Sequence, residues 1–150
     1  MKRILIILGG IFLILLLILG FIAGYLIYTG DKLDASSKAY VDESVLAIVS
    51  TWSKDELITR ASPKLLEKTS GGQIEQLFNA LSDKLGAFKS YDDSKGQSNM
   101  SYNSKEGQVI TASYIANASF QNGKADIQIQ LIRHQDSWQI LGFHVEMRLL

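Results

Sequence analysis

The chain of 150 residues contains no cysteine and only two histidines, which excludes several classes of protein. Without cysteine it can form no disulfide scaffold, no zinc or iron–sulfur site with cysteine ligands, and no lipid anchor on an N-terminal cysteine. Two histidines are too few for a metal site made of histidine alone. We therefore expect neither a metal centre nor a cofactor.

An excess of either charge is also missing, since 15 basic residues balance 15 acidic ones. Lys2 and Arg3 are two of the bases, so residues 31–150 carry 13 basic and 15 acidic side chains, a net charge of −2. Such a mildly acidic surface does not favour nucleic acid or anionic lipid, because both attract basic patches. No nucleic-acid partner is expected.

One long apolar run stands out against this composition. Residues 4–28 contain no charged side chain, no Asn or Gln and no histidine. As a helix they would rise about 38 Å, more than the roughly 30 Å of a bilayer's hydrocarbon core. Basic residues precede the run, whereas Asp31 and Asp34 follow it, so the positive-inside rule predicts an N-terminus in the cytoplasm. We interpret residues 1–30 as a cytoplasmic stub with a single anchor in the cytoplasmic membrane, and residues 31–150 as a domain in the periplasm or outside the cell.

A cleaved signal peptide is the alternative interpretation of the same run. The run is longer than the about 7–15 apolar residues of a usual signal peptide, and no A-x-A cleavage signal follows it. The sequence YLIYTG stands there instead, at positions 25–30. A retained anchor is therefore favoured, and the remaining chain is exported under either interpretation.

Two pairs of residues in the run are candidates for specific contacts. Tyr25 and Tyr28 lie one turn apart near its far end, where tyrosine side chains favour the headgroup zone of a membrane. Gly20 and Gly24 form one G-x-x-x-G, a spacing that lets two transmembrane helices approach closely in a homodimer or a membrane-protein complex. Glycine is also common in such helices without any pairing, so this contact stays open.

Three helical segments are predicted after the anchor. The first carries an apolar stripe at three- and four-residue steps from Leu33 to Trp52. The second, shorter segment opens with the capping box formed by Ser53 and Glu56 and extends to about Ala61. In the first segment, the residues of the stripe between Leu33 and Trp52 are Tyr40, Val41, Val45 and Ile48.

The last of the three segments has the clearest boundaries. Ser62 followed by Pro63 begins a further turn or two before it. Ser70 and Gln73 form a capping pair at its start, and Gly86 stands where a left-handed residue is expected after its end. Its apolar stripe comprises Ile74, Leu77, Phe78, Leu81 and Leu85.

Beyond the helices the hydrophobic period changes to alternation, which indicates strands. Asn122-Gly123 is a strong hairpin signal, because both central positions of a type I′ turn require positive φ. With these two residues as the loop, Gln121 faces Lys124, and one face of the hairpin is apolar while the other is polar. The predicted apolar pairs are Phe120 with Ala125, Ala118 with Ile127, Ala116 with Ile129, and Tyr114 with Leu131.

A second hairpin turns near residues 135–137, and its loop length decides which side chains are buried. A two-residue loop buries Trp138, Ile140, Gly142 and His144, whereas a three-residue loop buries Leu141, Phe143, Val145 and Met147. The second set is more apolar, so we predict the three-residue loop, although Trp138 and Ile140 then need cover on the other face of the sheet. Residues 87–103 predict one or two weaker strands. The sum is an α+β domain in which three helical segments precede four or five antiparallel strands and pack on one face of the sheet.

The order of elements and several short strings resemble the nuclear transport factor 2-like superfamily, the cone-shaped fold that includes ketosteroid isomerase. The strings are WSKDEL at 52–57, ASPKL at 61–65, LG at 85–86, ASFQNGKA at 118–125 and WQILGF at 138–143. The similarity covers about residues 34–147 and is greatest to small exported or membrane-anchored bacterial domains of unknown function. It implies a strongly curved sheet wrapped on helices, with a pocket inside the cone.

The resemblance does not carry an activity with it. Catalytic members of the superfamily have an Asp or His base and a Tyr or Asp oxyanion donor inside the cone. Here the inward positions of the central hairpin contain no carboxylate, and Tyr114 and Arg133 are their only polar members, which makes these two the candidate pocket groups for orienting a ligand. The remaining inward positions are Ile110, Ala112, Ala116, Ala118, Phe120, Ala125, Ile127, Ile129 and Leu131.

The other residues with chemical potential have structural interpretations. His134 adjoins a turn, and His144 falls on the polar face in the preferred register, so neither is assigned as a base. Asp92 and Asp93 precede Ser-Lys-Gly at 94–96, which is typical of a solvated turn. Gly71-Gly72 precedes a helix without the Lys-Ser/Thr of a phosphate-binding loop, so a helix connection is expected. No catalytic residue is assigned.

Two functional hypotheses follow from the sequence. The first is a non-catalytic, membrane-anchored module that binds a protein partner or an apolar ligand outside the cytoplasmic membrane. The second is a small enzyme of the ketosteroid isomerase-like type that uses Tyr114, Arg133 or a histidine in an apolar pocket. An open cavity of roughly 300–1,000 Å³ with convergent polar groups would favour the enzyme or a small-molecule binder, and a filled cone would favour the interaction protein.

Overall fold

The computed structural model describes residues 2–150, and within them the helices come first and the strands last. The helices are α1 (Lys2–Val49), α2 (Lys54–Arg60), α3 (Pro63–Lys68) and α4 (Gly71–Leu85). The strands are β1 (Phe88–Asn103), β2 (Gly107–Phe120), β3 (Gly123–His134) and β4 (Ser137–Leu149). They form an open antiparallel sheet in the order β1-β2-β3-β4, which confirms the predicted α+β class.

Two compact units divide the chain, one that ends at Leu33 and one that comprises Asp34–Leu150. In the first unit, α1 exposes nearly all of its apolar side chains, and its most apolar window has a mean hydropathy of 3.2. This helix is long and apolar enough to cross a membrane, as an N-terminal signal sequence would also be. The predicted anchor and the first helix predicted after it are parts of the same helix, since α1 is continuous.

In the second unit, α1 buries one stripe of side chains as its sequence predicts. Val41, Val45 and Ile48 are fully buried, and Trp52 is buried just after the helix ends. The helix stops at Val49 rather than at Trp52, because the chain turns there and Trp52 takes a positive φ of 48°. That turn directs the chain into α2.

The short helices begin where their capping residues predict. The side chain of Ser53 accepts a hydrogen bond from the backbone of Glu56, and Ser62 caps α3 with Pro63 in its first turn. The Glu56 carboxylate pairs with Arg60 one turn later and the backbone N–H of Ser53 donates to Ile48, so α2 has the serine cap but not the predicted reciprocal capping box. At α4 the reciprocal capping box of Ser70 and Gln73 is complete, and Gly86 ends the helix with a φ of 75°. The predicted stripe of α4 is buried except for one leucine at position 77.

The central hairpin has the predicted faces but a different register. Its turn is formed by Gln121-Asn122, so that Phe120 pairs with Gly123 and Ala118 pairs with Ala125. The prediction that Asn122-Gly123 forms the turn is therefore wrong. Each residue of β2 pairs with the β3 residue two positions before the predicted one. Because a shift of two preserves the alternation of side chains, the predicted apolar face remains the buried one.

Contacts outside the hairpin explain this displacement. The backbone N–H groups of Gln121 and Asn122 donate to the carbonyls of Ala87 and Leu85, at 2.8 and 2.9 Å, at the corner between α4 and β1. Gly123 is thereby drawn into the sheet, where a side chain would collide with the backbone of β4 at Arg148. The glycine is required for close packing of strands and not for positive φ in the turn.

The second hairpin combines the two registers that the sequence left as alternatives. Its loop has two residues, Gln135 and Asp136, both with positive φ, so the predicted three-residue loop is wrong. A bulge then leaves Leu141 without a partner in β3 and reverses which side chains face inward. Before the bulge Trp138 and Ile140 are buried. After it, Phe143, Val145 and Met147 face the inward residues of β3, which are Ile129, Ile127 and Ala125.

The segment predicted to form one or two weaker strands, residues 87–103, forms a single strand. Residues 88–103 form one strand that pairs with β2 over its length, with irregularities between Phe88 and Ser90 and between Tyr91 and Asp93. The predicted turn at 94–96 is wrong, because Ser94 is buried and these residues pair with β2. Sheet pairing with the strongly alternating β2 overrides the weak strand propensity of this segment.

The inner face of the sheet is packed against the helices. Trp52 stacks on Phe120 with ring centres 5.6 Å apart and lies 5.4 Å from the ring of Phe78 in α4. Most of the predicted inward positions are at most 3% exposed, whereas Ile110 and Arg133 at the far end are half-buried. The fully covered positions are Ala112, Tyr114, Ala116, Ala118, Phe120, Ala125, Ile127, Ile129 and Leu131.

Candidate functional site

Tyr114, a candidate pocket group, makes structural hydrogen bonds to α1. Its side chain projects inward from β2 and is 3% exposed. The hydroxyl lies 2.7 Å from the Ser37 Oγ and donates to the backbone carbonyl of Asp34 at 3.0 Å. A buried tyrosine hydroxyl needs such partners, because leaving it unpaired costs about 1–3 kcal/mol. The hydroxyl therefore ties β2 to α1.

Arg133, the other candidate group, lies at an open groove of about 480 Å³. Its guanidinium carbon is 5.5 Å from the centre of the Trp138 ring, and one guanidinium nitrogen is 3.8 Å from the exposed carboxylate of Asp136. The Trp138 indole N–H in turn donates to the Ser36 Oγ at 2.9 Å. The groove also contacts Ser62, Lys64, Glu106, Gln108, His134 and Gln139, and its lining does not include Tyr114. The two candidate groups therefore do not converge on this groove.

The histidines occupy the exposed positions that the sequence assigns to them. His144 pairs with Gln128 on the outer face, and its side chain is 67% exposed, with its Nε2 4.0 Å from a Glu146 oxygen. His144 thus lies on the polar face, as predicted. The cause differs from the predicted one, because the bulge at Leu141 and not a three-residue loop turns His144 outward. His134 is exposed at the end of β3, where it contributes to the rim of the groove beside Arg133.

A polar cluster that the sequence analysis missed joins α1 to β1. The Asp42 carboxylate accepts hydrogen bonds from the Tyr91 hydroxyl and the Ser94 hydroxyl, each at 2.5 Å, and from the Lys38 ammonium at 3.1 Å. Lys38 also donates to Asp93 at 2.9 Å. These residues, defined here as the α1–β1 cluster, hold the edge strand against the helix.

Asp34 extends the α1–β1 contact by one more helical turn. Its Oδ1 accepts from the backbone N–H of Ser98 at 2.7 Å and also from the Ser98 hydroxyl. Asp34, Lys38 and Asp42 stand at i, i+4 and i+8, a spacing that places them on one face of a helix. That periodicity was readable in the sequence, but their strand partners lay in a segment interpreted partly as a turn.

The charges of the α1–β1 cluster stabilise the ionised forms of its acids and its lysine. Desolvation pushes the pKa of Asp42 upward, but the hydrogen bonds from Ser94, Tyr91 and Lys38 outweigh it and hold this pKa below its ordinary value of 3.8. Hydrogen bonds to Asp93 and Asp42 raise the pKa of Lys38 above 10.5. Burial and the adjacent Asp42 carboxylate raise the pKa of Tyr91 far above its ordinary value.

This protonation pattern does not activate a nucleophile. The Ser94 Oγ lies 3.2 Å from the Lys38 ammonium, a geometry that would suit a serine–lysine pair if the lysine could accept a proton. With its pKa raised, Lys38 remains a donor at neutral pH, and the Ser94 hydroxyl already donates to Asp42. The α1–β1 cluster is thus suited to fastening two elements together.

Asp92 and the glycine pair before α4, which the sequence analysis also considered, have ordinary structural surroundings in the second unit. Asp92 is exposed and accepts hydrogen bonds from Ser90 and Ser119. Gly71 begins α4 after the Ser70 cap, as expected for a helix connection. Among the described residues no group of three or more His, Asp or Glu side chains is arranged to hold a metal ion.

In the first unit, the predicted contact residues are exposed. Tyr25 and Tyr28 are 64% and 68% exposed, and nothing lies within 4 Å of where a side chain would begin at Gly20 or Gly24. The helix surface around the two glycines is therefore open to a neighbouring helix. Comparison with models of protein families and with curated proteins finds no match to the chain.

Proposed function

We propose that the chain is a single-pass membrane protein whose Asp34–Leu150 unit acts outside the cytoplasmic membrane as a non-catalytic binding or accessory module. In this proposal α1 is a retained anchor with its N-terminus in the cytoplasm, as Lys2 and Arg3 favour under the positive-inside rule. The helix order and the open antiparallel sheet are compatible with the proposed kinship to the nuclear transport factor 2-like superfamily.

The observation that carries the proposal is the filled inner face of the sheet. In a catalytic cone this face lines the substrate pocket, but here Ala112, Ala116 and Ala118 are at most 1% exposed. Trp52 stacks on Phe120 at one end of this face, and the hydroxyl of Tyr114 is already hydrogen-bonded. This packing supports recognition through the outside of the domain, which favours a protein partner over an enclosed apolar ligand.

A small-molecule enzyme is the second candidate, and the groove beside Arg133 is the observation that favours it. Its volume of about 480 Å³ is within the range of small-molecule sites, and a histidine and two basic side chains line it. In this alternative His134 would act as the base and Arg133 would orient an anionic substrate.

Two measurements test the proposal. Alkaline phosphatase fused after Leu150 should be active in cells, and an inactive fusion that is well expressed would refute the topology. The full chain is then purified in mild detergent after crosslinking in intact cells, and bound proteins and small molecules are identified by mass spectrometry. A small molecule that the native chain both retains and chemically converts, and that Arg133→Ala neither retains nor converts, with no protein crosslinked, would replace the binding module by the enzyme.

A further inference from the structure

The β1–β2 hairpin continues as a two-stranded ribbon beyond its pairing with β3, and at its turn the Glu106 carboxylate lies 3.9 Å from the Lys64 ammonium of α3. Ser98 is the last residue of β1 with a hydrogen bond to α1, and pairing between β2 and β3 ends at Thr111 with Ile132. From Asn99 onward, β1 pairs with β2 as far as Asn103 with Gly107. Five strand residues rise about 17 Å. We call residues 99–108 the ribbon tip.

The ribbon tip exposes an aromatic and an apolar side chain. Tyr102 is 84% exposed, more than either tyrosine of the predicted anchor, and Met100 is 44% exposed. Both share the strand parity of Ser94 and Ser98, whose side chains contact α1. Tyrosine is enriched where one end of a side chain is in apolar surroundings and the other in water, as at membrane interfaces.

The base of the ribbon lies where the chain enters the second unit. Asp34, the first residue of that unit, accepts the hydrogen bonds of Ser98. Asp34 follows Tyr28 by six positions, and even a fully extended chain of that length spans at most about 21 Å. The chain therefore keeps Asp34, at the ribbon base, within about 21 Å of the bilayer surface at which Tyr28 is proposed to lie, a distance close to the about 17 Å length of the ribbon.

We propose that the ribbon tip contacts the headgroup region of the bilayer that α1 crosses, with Tyr102 as the main contact and Met100 beside it. This inference rests on the proposed membrane anchoring. The two charged residues of the tip, Lys105 and Glu106, sum to zero, and Glu106 also lies 3.9 Å from Lys64, so no cluster of basic side chains marks the tip for anionic lipid and the surface we propose is the interfacial zone of a neutral bilayer. The contact would attach the domain to the membrane at a second point, in addition to its covalent connection to the anchor through α1.

The absence of cysteine allows a direct test with single labelled cysteines in the full chain. Ser104→Cys places a fluorophore at the turn of the ribbon tip, and Lys124→Cys places one at an exposed position at the other end of β2 and β3. Leu16→Cys reports on the anchor itself. Each variant is reconstituted in phosphatidylcholine vesicles with and without lipids that carry a nitroxide quencher.

We expect the labels at Leu16→Cys and Ser104→Cys to lose much of their emission to the quencher, and the label at Lys124→Cys to keep it. Adding Tyr102→Ser to Ser104→Cys should recover part of the lost emission. Quenching at Ser104→Cys no stronger than at Lys124→Cys, with Leu16→Cys quenched, would overturn the ribbon contact and leave the anchor. An unquenched Leu16→Cys would overturn the proposed anchoring instead, and quenching at Ser104→Cys that Tyr102→Ser leaves unchanged would overturn the role of the tyrosine.

Discussion

Replacing Ala118 by aspartate tests the filled inner face most directly. Ala118 is fully buried in the middle of β2 and pairs with Tyr91 on one side and Ala125 on the other. An aspartate there introduces a charge without a partner of opposite sign, together with three extra heavy atoms in a packed region. An uncompensated buried charge costs about 3–5 kcal/mol, and overpacking adds about 1–3 kcal/mol.

These costs are large compared with the total stability of a domain. Domains unfold with free energies of about 5–15 kcal/mol. A loss of about 4 kcal/mol therefore removes a large part of the free energy of unfolding of the Asp34–Leu150 unit. At roughly 4 °C per kcal/mol, the midpoint of thermal unfolding should fall by at least about 15 °C.

The matched control is Ser113→Asp on the same strand. Ser113 is exposed on the outer face between Gln97 and Gln130, so the same charge there should change stability by less than about 0.5 kcal/mol. Unfolding of both variants of the full chain is followed by circular dichroism in detergent. Equal midpoints for the two variants would show that the inner face is not packed as described and would refute the reasoning.

Three further outcomes are expected. His144→Gln should change the free energy of unfolding by less than about 0.5 kcal/mol, since the imidazole is exposed, and a larger loss in denaturant titration would contradict its position. Gly123→Ala should cost more than about 1 kcal/mol because its Cβ would meet the β4 backbone, whereas Gly72→Ala, with nothing within 4 Å, should cost no stability in the same titration. Because the folded pKa of Asp42 lies below its ordinary value of 3.8, its contribution is present above that pH and is lost as pH falls through the folded pKa. Asp42→Asn should therefore unfold with a weaker pH dependence below about pH 4 than the native chain, and an unchanged acid profile in urea melts would argue against the α1–β1 cluster.

Local patterns predicted the elements of the fold well because they report on one helix or one strand at a time. The cap at Ser62-Pro63, the capping box at Ser70 and Gln73, and the C-terminal Gly86 all occur as expected. Alternation along β2 and β3 also predicted which side chains of the central hairpin are buried.

The registers depended on contacts that no local pattern contains. Turn propensity placed Asn122-Gly123 at the hairpin corner, but hydrogen bonds to the carbonyls of Leu85 and Ala87 moved the turn. In β4 neither loop length could bury both Trp138 and Phe143, since they have opposite parity in a regular strand. The bulge at Leu141 lets both face inward.

The candidate site was predicted only in part, for a related reason. The inward position of Tyr114 followed from alternation, but its hydrogen bonds to α1 required knowing which helix covers the sheet. The α1–β1 cluster was missed because Asp93 and Ser94 have the composition of a turn, whereas pairing with β2 makes them part of a strand. Side chains that look solvated in a turn thus become partners of Lys38 and Asp42 across a helix–sheet interface.

The alanines of the inner face show why a sequence alone does not distinguish a pocket from a core. Small side chains at 112, 116, 118 and 125 leave space above the sheet, which either a ligand or a large neighbouring side chain can occupy. In the structure Trp52, placed by the turn that ends α1, stacks on Phe120 at the end of β2. Since the four alanines are at most 1% exposed, the chain's own packing fills the space above them, and the surfaces available for recognition lie outside the sheet's inner face. Two such surfaces are the groove beside Arg133 and the ribbon tip, which meet at Glu106 and Gln108 near the ends of the strands.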